Sequence, residues 1–499
     1  MNKVIDSIEH RIRRNLGFQK EDLKEYVLLC IAYFIAYISI IRADYNYADD
    51  IGRKFSGYHG WNDWSRWSTM ILSNFIHADW YLSDISPLPQ LLSCFLMASV
   101  SFMLIRLLSG RTKATISTGI ASLLCGICPY FLGCISYKYD SVYMALAVWI
   151  SVFPVLYRKK RSWKYILLVI ACTLIMCTTY QPAAGIFPMI VALTLLQELI
   201  KGEDRRSILK EIVTSVLGFI LGMVIFKAFL LKPGDTAVYS SDQFVNGVRE
   251  NYRQYLKLIS GDFRKVWLLL IFLIILAFLW RETRYASENG YPAWKALLFA
   301  VIIMTFCLLV MFGVNPILVR FADDTRCMLG VGIFIAAIAI VAASGNKTII
   351  QKLLPILLFW CWFTFSFTYG NAMAEQKRYN EFRMQVVIDD LKDLDAIKNA
   401  EKNNEKVQVM FIGNAGFSPV LRNMQKRGNV LARLLRDATL GEKGSWQDRY
   451  LFSYYDLPDC IAVTSNAKWA TMPVVKDNVY QTIFSDNVHI IINVHSGNK

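Results

Sequence analysis

The chain has 499 residues, of which 55% are hydrophobic, 14% aromatic and only 19% charged. Ordinary soluble domains carry more charge, so the composition excludes that class and predicts an α-helical polytopic membrane protein. The formal net charge of +15 is spread over several loops, which indicates a topology signal and contact with lipid headgroups and argues against a nucleic-acid partner.

Uncharged apolar runs define the predicted membrane spans. The hydrocarbon core of a bilayer is about 30 Å thick, and roughly 20 helical residues cross it. Runs near that length predict eleven transmembrane helices, at 26–41, 85–105, 114–135, 141–156, 165–181, 182–200, 211–231, 266–280, 296–314, 327–343 and 353–370. The fifth and sixth form one long run that we divide at Tyr180-Gln181-Pro182-Ala183, because proline removes a helix donor and polar residues are unfavourable in lipid.

Basic residues set the predicted orientation of the transmembrane domain, 26–370. With residues 1–25 in the cytoplasm, the inner loops hold more Lys and Arg than the outer loops, including the run Arg158-Lys159-Lys160-Arg161. The positive-inside rule then favours a cytoplasmic N-terminus, and the odd number of spans leaves the tail outside. We expect the first span to stay as an anchor, since it follows a long polar segment and lacks a small-residue cleavage site.

The first long outer loop, 42–84, begins with a pair of acids. Asp49 and Asp50 follow the first span closely, within the sequence ADYNYADDIGRK. Neighbouring carboxylates repel each other, so we expect at least one pKa to rise toward neutrality, as suits a general base. In an extended segment adjacent side chains point to opposite faces, so only one acid is expected to face a substrate, while the other positions it or binds a metal. A solvated acidic loop is the simpler alternative.

Aromatic and polar side chains follow these acids. Tryptophan and tyrosine gather at membrane interfaces whatever the function, and this explains them as well as sugar binding does. In the second interpretation, aromatic faces pack on the apolar faces of sugar rings. The residues predicted to bind a sugar or an acceptor are Tyr58, His59, Trp61, Asp63, Arg66 and, in a short outer loop, Asp140.

Cations on the outer side are candidates for phosphate binding. Arginine holds phosphate oxygens in a bidentate manner and stays charged at an interface. The predicted ligands of a donor phosphate are Arg53, Lys138, Arg320 and Arg326. The alternative for Arg320 and Arg326 is neutralisation by Asp323 and Asp324, and for Lys138 and Asp140 it is a helix cap.

The second long outer loop, 232–265, contains a predicted amphipathic helix at 244–264. Its apolar residues recur at helical spacing, while Arg249, Arg253 and Lys257 occupy another face. A helix of this kind lies in the membrane interface. Its cations then either contact headgroups in general or hold one lipid phosphate.

The tail, residues 371–499, is predicted to form an amphipathic helix and a small α/β domain outside the membrane. A charged helix from Asn371 to Leu394 precedes strands at 407–412 and 488–492, with a helix near 429–440 between the strands. The sequence Gly413-Asn414-Ala415-Gly416 matches a phosphate-binding loop poorly, and we expect a turn there.

An acid and phosphate-binding cations beside the outer leaflet indicate group transfer from a lipid phosphate. Bacterial nucleotide sugars are confined to the cytoplasm, so a transferase on the outer face needs a membrane-borne donor. The acid would deprotonate an acceptor hydroxyl, which attacks the anomeric carbon while arginines stabilise the departing phosphate.

Three motifs, in order, also resemble a known family. They are Asp49-Asp50-Ile51-Gly52-Arg53, Gly57-Tyr58-His59-Gly60-Trp61 and Asp84-Ile85-Ser86-Pro87-Leu88-Pro89-Gln90, with a looser match at Tyr369-Gly370-Asn371-Ala372. With these motifs the chain is similar to the phage-type, serotype-converting O-antigen glucosyltransferases (the Gtr family). It departs from the family pattern, in which an acid precedes Gly-Arg after the tryptophan, since Asp63 is followed by Trp64-Ser65-Arg66. The role of Asp63 is therefore open.

The resemblance implies a multi-span glycosyltransferase of the C-type fold in the bacterial inner membrane. Such enzymes move glucose from undecaprenyl phosphate glucose, a polyprenyl phosphate sugar donor, to a lipid-linked O-antigen repeat unit on the periplasmic face. An acid of the first outer loop acts as base, here Asp49 or Asp50. No cofactor is assigned, and a need for a divalent cation, Mg²⁺ or Mn²⁺, is open. The alternatives are a secondary transporter, for which no internal repeat is found, and another membrane protein that processes lipid-linked polysaccharide.

Overall fold

The structure is a computed structural model. It describes residues 20–110, 114–160, 162–232, 237–345, 348–425, 429–435, 440–441, 454–457, 460–462, 471–486 and 489–496. Most of the predicted cytoplasmic segment 1–25 lies outside the described residues, as does the end of the helix predicted near 429–440.

Helices make up most of the described chain, and we number them in chain order. They are α1 Lys20–Ala43, α2 Asp50–Ser56, α3 Trp67–His77, α4 Leu88–Leu108, α5 Ile116–Ile127, α6 Pro129–Ile135, α7 Ser141–Val152, α8 Trp163–Thr179, α9 Ile186–Ile200, α10 Arg205–Ile225, α11 Phe244–Asp262, α12 Lys265–Glu288, α13 Ala293–Val310, α14 Gly330–Ala343, α15 Ile349–Leu391, α16 Asp395–Asn403, α17 Pro419–Gln425 and α18 Asn429–Leu434.

The predicted polytopic membrane architecture is confirmed. Within the described ranges, nine helices are long and apolar enough to cross a membrane, some with an adjoining 3-10 or π turn: α1, α4, α7, α9, α10, α12, α13, α14 and α15. Helices α5 and α6 together form a further span that is bent by 60°, and α8 is a shorter apolar helix. Each of the eleven predicted spans therefore contains a helix.

Three details of these helices bear on the sequence predictions. The predicted break at Tyr180 is confirmed, because α8 ends at Thr179 and a 3-10 turn follows at Gln181–Gly185. The third span was predicted as one helix and is instead bent between α5 and α6, where Pro129 lacks a donor. The last span and the charged helix after it are one continuous helix of 43 residues, α15.

Close helix contacts bring together the loops that the sequence predicts to be outside. Every residue of α14 is buried, and this helix packs on the α5–α6 bend, where a Cβ on Gly332 would lie 2.6 Å from Cβ of Cys128. Helix α15 packs against α1, where a Cβ on Gly370 would lie only 2.4 Å from the backbone of Ser39. The ends of α1 and α6 consequently lie close to the middle of α15, where Tyr369 contacts Ser136 and Lys377 contacts Asp44.

The tail forms a five-stranded mixed sheet, which agrees with the predicted small α/β domain. Its strands are β1 Val407–Gly413, β2 Cys460–Ala462, β3 Val474–Asp477, β4 Gln481–Ser485 and β5 His489–Val494, in the order β2-β1-β5-β4-β3. Strands β2, β1 and β5 are parallel, while β4 pairs antiparallel with β5 and β3. The predicted turn after β1 is confirmed, since Gly413 and Gly416 have positive φ angles of 74° and 70°.

Helix α15 carries this sheet. Arg383 is buried in the contact, and its Nη2 donates to the backbone carbonyls of Tyr480 at 2.6 Å and His495 at 3.0 Å. Its Nη1 donates to the hydroxyl of Tyr379 at 2.8 Å. One helix therefore joins the membrane part to the tail.

Candidate active site

Asp50 is the first residue of α2, and its side chain is completely buried. Its Oδ2 accepts hydrogen bonds from the backbone N–H groups of Tyr47 and Lys138, each at 3.0 Å. Burial raises the pKa of this carboxyl from 3.8 to about 8; the backbone donors oppose the rise, and the negative charge of Asp140 adds to it. Asp50 is therefore mostly protonated at pH 7 and joins the first outer loop to the loop at 136–140.

Asp49 differs from its neighbour in exposure. It is the N-cap residue of α2, its side chain is 35% exposed, and its Oδ2 lies 3.7 Å from Nη2 of Arg53. The prediction of an extended segment was wrong, because the two acids begin a helix. The pKa of Asp50 rises as expected, but the causes are burial and Asp140, and Asp49 is not among them. Of the two acids, Asp49 is the one that a hydroxyl group can reach.

Arg53 forms ion pairs with two acids, Asp49 and Asp140. Its guanidinium is buried, with Nη2 at 3.3 Å from Oδ2 of Asp140 and 3.7 Å from Oδ2 of Asp49. Burial lowers the pKa of Arg53, but Asp140 and Asp49 raise it by more, so the group is firmly cationic. Arg53, a predicted phosphate ligand, is therefore buried and paired with acids of the protein. Its predicted contact with a phosphate stays a prediction.

The sequence Gly57-Tyr58-His59-Gly60-Trp61 wraps around Arg53. The carbonyl of His59 accepts a hydrogen bond from Nη1 of Arg53 at 2.7 Å. The ring centroids of Trp61 and Tyr58 lie 4.3 Å and 5.6 Å from the guanidinium carbon. Trp61 is 1% exposed and donates through Nε1 to Oδ1 of Asp140. Trp61 and Asp140 were both predicted to bind sugar or acceptor. Both are buried, and they contact Arg53 and each other.

Lys138 and Lys377 hold the start of the same loop. Lys138 is buried, and its Nζ donates to Oδ1 of Asp44 and, at 3.1 Å, to Oδ1 of Asn46. Lys377, on α15, donates to the backbone oxygen of Asp44 at 3.0 Å and to its Oδ2 at 3.2 Å. Sequence reasoning missed Lys377, which lies 333 residues from Asp44 along the chain and outside every recognised motif.

Two of the remaining motif positions anchor the loop at 136–140. The hydroxyl of Tyr369 lies 2.6 Å from Oγ of Ser136. On the other side, Nε2 of Gln90 donates to the backbone oxygen of Ile135 at 3.3 Å. These contacts give the looser motif around Tyr369 and the last residue of DISPLPQ a structural explanation.

Two arginines from distant segments lie near these acids, and each is close enough to the other for their charges to interact. Arg326 lies 4.7 Å over the ring of Tyr137, and Arg66 lies 4.9 Å over the ring of Tyr180. Burial lowers the pKa of Arg66, and the positive charge of Arg326 lowers it further. Nε of Arg66 is buried and has no hydrogen-bond partner among the described residues. Asp324 lies 3.7 Å from Arg326. Two guanidinium groups that repel each other electrostatically are suited to binding an added anion.

Tyr137 connects the acids with the arginine pair. It is buried and packs edge-on against Tyr47 at 4.9 Å. Burial raises the pKa of Tyr137 well above 10, the charge of Arg326 opposes the rise, and the charge of Asp49 adds to it. Since both charges act on one phenol, Asp49 and Arg326 lie within electrostatic range of the same ring.

Two predicted site residues are exposed. Asp63 lies on the one-turn helix Asn62–Trp64. Arg320 is exposed two residues after Leu318, which bridges to Val238. The functional roles proposed for both residues from sequence stay predictions.

A group of acids close enough to share a metal ion occurs elsewhere in the described part of the chain. It consists of Glu198, Glu203 and Glu211, at the ends of α9 and α10 on the predicted cytoplasmic side. Arg158 lies 3.5 Å from Glu211, and Lys159 lies 3.0 Å from Glu198 and 2.8 Å from Glu203. These contacts favour an ion-pair network, and a need for Mg²⁺ or Mn²⁺ stays a prediction.

The chain is similar to known proteins over its membrane part. A protein of Salmonella phage P22, described as "Uncharacterized 55.3 kDa protein in gtrB 5'region", is 24% identical over 231 residues, which cover 43% of this chain and 47% of that protein. The match thus spans about half of that relative. No solved structure matches the chain significantly. Residues 38–337 match the family described as "Glucosyl transferase GtrII". Because this match covers more than half of the chain and includes both acids, the protein belongs to the GtrII glucosyl transferase family.

Proposed function

We propose that this protein transfers glucose from a polyprenyl phosphate glucose, undecaprenyl phosphate glucose in a bacterium, to a sugar hydroxyl of a lipid-linked O-antigen at the periplasmic face of the inner membrane. Membership of the family supports glucosyl transfer. The many apolar helices of the described chain support a donor that the bilayer carries. The observation that carries the proposal is one partly exposed acid, Asp49, within electrostatic range of Tyr137, whose ring Arg326 covers, while Arg66 lies within electrostatic range of Arg326.

Asp49 is the general base in this proposal. A base must reach the proton that it removes, and Asp49 is partly exposed whereas Asp50 is buried. Arg53 keeps Asp49 oriented from the other end of the first helical turn. Asp50 is then a positioning residue that holds the two loops on which the site is built.

Arg66 and Arg326 bind the donor phosphate. The acceptor oxygen, after losing its proton to Asp49, forms a bond to the anomeric carbon, and the bond from that carbon to the phosphate oxygen breaks. The electron pair leaves with the polyprenyl phosphate, whose growing negative charge the two guanidinium groups stabilise. Such a single in-line displacement inverts the configuration at the anomeric carbon.

The contacts among the outer segments support one common side for the site. Asp44, Lys138 and Lys377 come from three segments that the topology prediction places outside, and both lysines contact Asp44. The assignment of that side to the periplasm can be tested by labelling a cysteine introduced at Asp63 with a membrane-impermeant maleimide in intact spheroplasts. Labelling is expected, and protection until the membrane is broken would contradict the proposed compartment.

Transfer can be measured directly with the purified protein in proteoliposomes. The vesicles contain undecaprenyl phosphate glucose in which the glucose is radiolabelled. They also contain a lipid-linked O-antigen from a strain that lacks the modification. We expect label to enter the polysaccharide in an Asp49-dependent manner, and we expect no transfer from UDP-glucose. Transfer from the nucleotide donor alone would overturn the proposal.

A further inference from the structure

A cavity of about 620 Å³ lies between α11 and the tail helix α18. One wall is a single face of α11, where Glu250, Gln254 and Lys257 follow each other at helical spacing. The opposite wall contains the ring of Phe321 and the side chain of Arg433. The cavity is separate from the acids and from the arginine pair described above.

The floor of this cavity is fixed. Asp262 is buried at 2% exposure, pairs with Nη1 of Arg433, and accepts the hydroxyl of Tyr130 at 2.9 Å. Nη2 of Arg433 donates to the backbone oxygen of Asp323. The tail helix is thereby held against the membrane part, and the cavity has a preformed shape, as binding sites for small polar ligands usually do.

The composition of the lining fits a neutral, hydroxyl-rich ligand better than an anion. Two carboxylates and three cations face the cavity, but Asp262 and the Asp323 carbonyl hold Arg433, and Arg253 lies 3.8 Å from Glu250. Gln254 adds an amide with both donor and acceptor capacity. Alternating donors and acceptors opposite an aromatic ring match the hydroxyl groups and the apolar face of a sugar.

The cavity is connected to the candidate active site by two short segments. Phe321 lines the cavity, and five residues later Arg326 belongs to the arginine pair; five residues span at most about 17 Å. After Arg433, the backbone oxygen of Leu434 accepts the hydroxyl of Tyr47. Tyr47 in turn donates its backbone N–H to Asp50.

We propose that this cavity binds the acceptor glycan and holds neutral sugar residues that neighbour the one being modified. The inference rests on the proposed function, since it assigns a place to the acceptor of that reaction. It gives the tail a role, because α18 supplies part of the cavity wall. The glycan would then bind between the tail and the membrane part.

The first test compares the double variant Gln254→Ala, Lys257→Ala with the control Arg249→Ala, which changes an exposed cation on the same helix that does not line the cavity. Loss of two hydrogen bonds to sugar should raise the acceptor KM by about tenfold. The donor KM should stay unchanged, and the control should match the wild type. An unchanged acceptor KM in the double variant would overturn the proposal.

The second test needs no turnover and so separates this proposal from the proposed reaction. Delipidated O-polysaccharide from the unmodified strain is titrated into the Asp49→Asn protein, with and without the two cavity substitutions, by calorimetry. Weaker binding in the cavity variant supports the glycan site even if the wild type transfers no glucose. If polysaccharide binding is unchanged and binding to phosphatidylglycerol vesicles is weakened, the cavity is a lipid headgroup site and the proposal fails.

Discussion

The carboxylate of Asp50 accepts the backbone N–H of Lys138 at 3.0 Å, across 88 residues of sequence. Its other oxygen, Oδ1, is buried and has no hydrogen-bond partner among the described residues. A protonated carboxyl fits this position, because one oxygen accepts the N–H groups while the other carries the proton. The amide of asparagine has the same shape and charge, so substitution can separate the roles of the two adjacent acids.

Asp49→Asn and Asp50→Asn are expected to differ in activity. Loss of a general base should lower kcat by about 10²-fold to 10⁴-fold in Asp49→Asn. Asp50→Asn should stay within about tenfold of the wild type at pH 7, since it replaces a neutral group by a neutral group. Both rates are measured in the proteoliposome assay on variants of equal expression. Equal loss of activity in the two folded variants would contradict the assignment of the base.

The stability of the protein should depend on pH through Asp50. Its pKa is about 8 in the folded protein, against an ordinary value of 3.8 in the unfolded chain. Between these values the folded state binds a proton that the unfolded state has lost. The free energy of unfolding should therefore fall as the pH rises from about 4 to about 8. Thermal unfolding in detergent between pH 5 and 9 measures this, and Asp50→Asn should show a flatter profile. An identical slope in both proteins would rule out Asp50 as its source.

Arg66→Gln and Arg326→Gln should each weaken use of the donor. A charge-assisted hydrogen bond contributes about 1.5–3 kcal/mol, so the donor KM should rise by about 10-fold to 100-fold. Arg320→Gln is the comparison, because Arg320 belongs to the same segment as Arg326 but is exposed, and it is expected to contribute less to phosphate binding than Arg326. KM values for the lipid donor at saturating acceptor provide the measurement. An effect of Arg320→Gln as large as that of Arg326→Gln would show that general surface charge, and not the arginine pair, attracts the donor.

Gly370→Ala should destabilise the packing of α15 on α1. The added methyl group would lie 2.4 Å from the backbone of Ser39, and overpacking of this kind costs about 1–3 kcal/mol. Gly119→Ala is the control, since Gly119 is also helical and has no atom within 4 Å of the added carbon. The melting temperature in detergent should fall for the first variant only. If Gly370→Ala has the same melting temperature as the wild type, the two helices do not pack as described.

The membrane helices could be predicted from sequence because apolarity is a local property. Pro182 marks the break after α8. Pro129 marks the bend in the third span in the same way, although the length of the apolar run there favours one helix. The continuity of α15 was not recognised, because charges after Gly370 end a hydrophobic run without ending a helix. The bounds of a membrane span depend on apolarity, whereas the bounds of its helix depend on backbone hydrogen bonding, which charged residues do not interrupt.

The candidate site could be predicted only in part. Asp49, Asp50 and Arg53 share one helical turn, so a local motif identified them. The adjacency of Arg66 and Arg326 and the contact of Lys377 with Asp44 depend on how distant helices pack. The rise in the pKa of Asp50 depends on burial. Packing and burial at a single position depend on contacts between segments far apart in the sequence, which a local motif does not reveal.

Helix α15 has a mechanical consequence. Its 43 residues extend about 65 Å, roughly twice the hydrocarbon thickness of a bilayer. Along this rod, Gly370 touches α1, Lys377 holds Asp44, and Arg383 grips the sheet. Because these three contacts lie on one continuous helix, the sheet and the loop that begins at Asp44 are attached to the same rigid element.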